Sequence, residues 1–268
     1  MIEGMLIIWY LLTAGALIFL VYDMATNTPL LGVMKLAWIL IILYTGPIGL
    51  FIYLLSCRQP MPGTHAEFIK PHWKQAIGSM MHCVAGDATG IILAAAIVFH
   101  FGLPNGIDLF IEYTSAFIMG LLIFQAVFMM GMYGGNYFKA VRKTFFAETV
   151  SMNMVMVGMI PTMVILMSKV PGSDDPRHPL FWAIMSVATM VGMITAYPIN
   201  SWMVRTGIKH GMMSKPDPSM AKMEMGKGMG MEEKQIAFGK AFGVFLLTVF
   251  CLGVAIYLTS RFAEISFN

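Results

Sequence analysis

Apolar positions along this chain come in long unbroken runs. They form neither the stripe of a water-facing helix nor the alternation of a half-buried strand. Seven runs approach or exceed the roughly 20 residues that cross a bilayer: about 5–22, 33–55, 76–101, 107–132, 146–168, 180–203 and 238–260. They predict an all-α fold, a polytopic integral membrane bundle of about seven transmembrane helices in a single domain over residues 1–268. His82, Asp87, Asp108 and Glu112 interrupt the third and fourth runs, and the glycines at Gly86 and Gly90 predict a break in the third. Only Glu3 precedes the first run as a charged residue, so no basic leader region is present and the run reads as a retained helix.

The polar connections are of three kinds. Residues 58–74 hold Pro60, Pro62 and Pro71 and predict a loop with a short interfacial helix near Phe68. Residues 170–176 predict a plain turn. Residues 209–235 are rich in Met, Lys and Gly and predict a flexible cytoplasmic loop. Basic residues follow this layout. The loops on the N-terminal side carry Arg58, Lys70, Lys74, Lys139, Arg142, Lys143 and seven more from Arg205 to Lys240; the other side carries Lys35, Lys169, Arg177 and Arg261. The excess predicts a cytoplasmic N-terminus and an external C-terminus, in a multi-pass protein of the cell membrane.

Charged residues are 12% of the chain and hydrophobic residues 58%. Soluble domains carry roughly 25% charged residues, so a water-covered surface is excluded and the lipid bilayer is the expected partner. Nothing points to nucleic acid, since the net charge is only +3. Cys57, Cys83 and Cys251 are too dispersed for a disulfide framework or a zinc ribbon. No nucleophile motif, phosphate loop or HExxH pattern stands in a fitting context, so a nucleophilic enzyme reading has no triad to rest on.

Ionisable groups inside a span cost about 2.5–3.5 kcal/mol near its centre, and here they gather in one half of the bilayer. The third span brings His82, Cys83 and Asp87 from the cytoplasmic side. The fifth opens with Glu148, Met152, Met156, Met159 and Met163, whose steps of three and four place them on one stripe, with Asn153 beside it. The sixth closes with Asn200 and is followed by His210. Thiol, thioether and imidazole together suit a soft cation, above all copper. His82, Cys83, Met152, Met156 and His210 are therefore candidate metal ligands. Asp87 and Glu148 are candidates for proton relay or charge balance, and Asn153 and Asn200 for structural polar contacts. Against ligation, methionine also fills irregular gaps between helices, and the chain has 28 of them.

At these residues the chain resembles a family of membrane proteins known as domain of unknown function 4396. The resemblance rests on His82-Cys83-Val84-Ala85-Gly86-Asp87, Ala147-Glu148, Ser151-Met152-Asn153, Gly158-Met159-Ile160-Pro161, Tyr197-Pro198-Ile199-Asn200 and Gly207-Ile208-Lys209-His210-Gly211-Met212. It implies a helical membrane fold and assigns no activity. Three functions follow as expectations from the residues themselves. The first is binding or transport of a soft metal ion such as copper. The second is a non-catalytic accessory subunit of a larger membrane oxidoreductase complex, with other membrane subunits or further copies of the chain as partners. The third is a proton-coupled small-solute carrier using Asp87 and Glu148.

Overall fold

The computed structural model describes residues 2–212 and 237–265. The Met-rich stretch expected to form a flexible loop lies, from residue 213 to its end, outside the described residues. Those described are helical, with no β-sheet among them, and seven helices are long and apolar enough to cross a membrane.

Helix α1 (Ile2–Thr26) packs against α2 (Gly32–Ser56). Their junction is fastened by buried Asp23, which accepts from Tyr53 Oη at 2.6 Å, Thr28 Oγ1 at 2.7 Å, Arg58 Nε at 2.8 Å and Asn27 Nδ2 at 3.1 Å. Helix α2 folds back on itself at Gly46, whose φ of 58° precedes Pro47, so that Tyr53 packs on Trp38 with ring centres 5.2 Å apart; the turn lets α1 approach so closely that a Cβ at Gly46 would overlap Thr13. The expected interfacial helix is α3 (His65–Phe68).

Helix α4 (His72–Val98) runs unbroken through Gly86 and Gly90, so the expected break in the third span is absent. These glycines serve close approach instead. A Cβ at Gly90 would strike the backbone of Ser115 and Ala116, and one at Gly86 would crowd Gly120 and Phe124. Small residues four apart let two helix backbones approach inside a membrane. The irregularity falls in the next span. There α5 (Asn105–Phe117) passes into π-helical Ile118–Gln125, then into α6 (Ala126–Met129) and a 3-10 turn. π-helical turns are frequent at functional sites.

Helix α7 (Tyr137–Lys169) starts well before the expected residue 146 because Asn136 caps it, accepting from the Lys139 amide at 2.9 Å. Its first turns are basic and extend the helix beyond the apolar span. Helix α8 (Pro179–Thr206) ends at Gly207, with φ 75°, and α9 (Phe238–Ser260) closes the bundle. Burial divides the helices into two sets. The spanning windows of α1 and α9 are only 17% and 11% buried, whereas those of α4 and α7 are 61% and 56% buried. An apolar helix exposed over most of its surface needs lipid around it. Helices α4, α7 and α8, with the α5 segment, are therefore the inner set that can shelter a polar site.

Candidate functional site

Cys83 and Asp87 stand one turn apart on α4 and face Glu148 of α7. All three side chains are fully buried. The Cys83 thiol donates to Glu148 Oε2 at 2.8 Å, and Gln125 Nε2 donates to the same oxygen at 2.8 Å. The Asp87 carboxyl stands beside that of Glu148 at Gly120. Both carboxyls press on Gly120, where a Cβ would overlap Asp87 Oδ1 and Glu148 Oε1 together. The π-helical turn thus brings a residue without a side chain to the carboxyl pair and, further along, swings Gln125 onto it.

The positive charge arrives from beyond α8. After the Gly207 cap, the Ile208 and Lys209 amides both donate back to the Met203 carbonyl, at 2.9 and 3.3 Å. The chain then turns into the bundle. Lys209 Nζ donates to Asn200 Oδ1 at 2.5 Å and to Cys83 Sγ at 2.7 Å, with Ser151 Oγ at 3.5 Å. Asn200 is held in turn by Ser151 and by the Ala196 carbonyl.

Cys83 Sγ stands within hydrogen-bond distance of Glu148 Oε2, Gln125 Nε2 and Lys209 Nζ, and counted as a neutral thiol it leaves Lys209, Asp87 and Glu148 to set the cluster's charge. Asp87 Oδ1, Oδ2 and Glu148 Oε1 have no hydrogen-bond donor among the described residues. A proton carried between the two carboxyls is what satisfies a pair of them. One ammonium, one carboxylate and one protonated carboxyl sum to zero, which is the state a lipid-embedded site favours.

The expected site residues therefore divide. Cys83, Asp87 and Glu148 meet directly, and Asn200 joins them through Lys209. His82, rotated away from Cys83 on α4, packs edge-on to Phe124 with ring centres 6.1 Å apart. It lines, with Ser79, Lys209 and His210, a narrow cavity of about 30 Å³ at the lysine side of the cluster. That space holds about one water. Met152 and Met156 lie in the apolar core. Asn153 points elsewhere, accepting from Tyr113 Oη at 2.8 Å and donating to Thr248 Oγ1 at 3.2 Å, which ties α5 and α9 to α7.

A soft metal asks for a free thiolate with imidazole or thioether beside it. Here the Lys209 ammonium sits on the Cys83 sulfur, and no group of three His, Cys, Asp or Glu residues is arranged to hold a metal ion among the described residues.

Lys209, Gln125 and Gly120 are the participants that reading the sequence for costly groups inside spans passes over. Lys209 looks like one more loop lysine. Gln125 had a usable signal, since it is a lone amide in the apolar stretch from Ile118 to Met130.

Seven helices long and apolar enough to cross a membrane, closed around a buried polar cluster, define a polytopic membrane protein. The chain belongs to the family described as Domain of unknown function (DUF4396), which it matches over residues 72–209. That stretch runs from the first residue of α4 to Lys209 and includes every member of the cluster. Comparison with curated proteins and with solved structures gives no match.

Proposed function

We propose that this protein is a proton-coupled carrier of a small solute in the cell membrane, with the Asp87–Glu148 pair as its proton site. The observation that carries the reading is that pair: two fully buried carboxyls against Gly120, with a single ammonium beside them. Loss of the shared proton leaves two carboxylates facing one Lys209, a net charge that the apolar surroundings penalise. Such a site holds its proton while closed and releases it when water or a cationic solute reaches it. Intramembrane carboxyls of this kind mark proton relays in pumps and transporters.

A polar route across the bundle adds support. Asp108 and Glu112 lie one turn apart on α5, Tyr113 follows and binds Asn153, and the carboxyl pair stands further along the same span beside Gly120. The His82 and His210 cavity continues toward the lysine-side end.

The test is reconstitution into liposomes holding a pH-sensitive dye, with small solutes added outside. Solute-dependent proton movement is expected in the unaltered protein and lost in Asp87→Asn and Glu148→Gln. Proton movement of unchanged rate in both variants would sink the proposal. So would stoichiometric copper in the purified protein that disappears in Cys83→Ser.

A further inference from the structure

At the end of the bundle away from Lys209, a cavity of about 410 Å³ opens between α4, α5, α7 and the chain after α9. Its size falls in the range that takes small organic molecules. Four carboxyl residues line it, Asp108, Glu112, Asp174 and Glu264, and among the described residues no lysine, arginine or histidine does. The remaining wall is apolar and aromatic, including Phe99, Phe181 and Met163. Arg177, which lies over the Phe99 ring at 5.9 Å, is committed to Asp175 through bonds of 2.8–3.1 Å.

Two of the acids are unfinished. Glu112 is only 5% exposed, and its Oε2 has no hydrogen-bond partner among the described residues. Asp108 Oδ1, one turn away on the same helix, is also buried without a partner there. Buried polar atoms left without partners are rare in folded proteins and call for an explanation. An alkylammonium group carries three N–H donors and a positive charge, which matches two acceptor oxygens in an acidic setting. The aromatic wall matches an apolar body attached to it.

We propose that this cavity binds a primary amine with an apolar or aromatic body, its ammonium held by Glu112 and Asp108. As the solute class of the carrier, this rests on the function proposed above; as a binding site it stands alone. The ligand's positive charge explains why the acids gather here without a cation of the chain's own.

The experiment titrates phenethylammonium into the full-length protein in detergent, followed by calorimetry, with phenethyl alcohol and calcium as comparison probes. Saturable binding of the amine is expected, with no binding of the alcohol, and affinity about ten-fold or more weaker in Glu112→Gln. Equal binding of the alcohol, unchanged affinity in Glu112→Gln, or calcium binding in place of the amine would each overturn the proposal. The alcohol comparison uses the unaltered chain, so it decides the matter even where the variant fails to fold. Amine binding without proton movement through Asp87 upholds the cavity and overturns the carrier. Proton movement through Asp87 without amine binding does the reverse.

Discussion

Replacing Lys209 by methionine removes the ammonium from the buried cluster while keeping most of the side chain's length. Breaking a buried ion pair from one side costs about 3–5 kcal/mol when both partners are sealed from water. Lys209 is only half-buried and opens onto the small His82 cavity, so water replaces part of what the ammonium supplied. Glu148 also keeps Gln125 and the Cys83 thiol as donors. The hydrogen bond to Asn200 is lost outright, at about 1 kcal/mol. The expected loss is about 2–3 kcal/mol, measured by unfolding in mixed micelles followed through tryptophan fluorescence. The charge argument makes a sharper demand in a background that lacks both carboxyls. With Asp87→Asn and Glu148→Gln together no carboxylate needs the ammonium, so Lys209→Met should then cost only about 1 kcal/mol, leaving a coupling of about 1–2 kcal/mol. Costs that add within about 0.5 kcal/mol would show that Lys209 and the carboxyl pair do not compensate each other, and the neutral-site reasoning would fall.

Two further outcomes follow from local geometry. Gly120→Ala puts a methyl against both carboxyls and should destabilise the protein by about 1–3 kcal/mol, as overpacking does; a variant as stable as the parent in the same unfolding assay would mean the pair is not pressed against that backbone. His65 is buried with Nε2 on the Cys57 carbonyl at 3.0 Å, and burial holds its imidazole below the ordinary value near 6.5. The unfolded chain therefore takes up a proton more readily. The contribution of His65 is fully present above about pH 6.5 and is lost as pH falls toward the depressed value. Unfolding midpoints at pH 7.5 and 5.5 should differ more in the parent than in His65→Gln, and equal differences would count against this.

Much of the fold is legible in the sequence because a bilayer leaves few alternatives. The seven apolar runs fold into seven helices long and apolar enough to cross a membrane, with α2 turned back on itself at Gly46, and the stripe from Glu148 to Met163 is buried along its length. The carboxyls were legible for the same reason, since an ionisable group in a span is too costly to be idle. Gly86 and Gly90 misled because a glycine read alone suggests a weak point. What decides their role is Ser115, Ala116 and Gly120 on a neighbouring helix, and no local pattern reveals that partner. The methionines read two ways from composition: Met152 and Met156 have the chemistry of soft ligands, and both lie in the apolar core.

Lys209 shows why the cluster's charge balance could not be read from spans at all. Its position depends on three unrelated features of the chain. Gly207 reverses the backbone at the end of α8, and the bonds back to Met203 set the direction of the next residues. Gly78 on α4 leaves the space that Met212 fills, since a Cβ at Gly78 would overlap the Met212 side chain. Asn200, itself fixed by Ser151 and Ala196, receives the ammonium. Each is ordinary alone: a helix cap, a small residue, a buried amide. Together they bring a residue that lies outside every apolar run into contact with Cys83. The cation that balances the intramembrane carboxyls therefore comes from the folded-back segment after α8, and the site's electrostatics depend on that segment staying seated against α4.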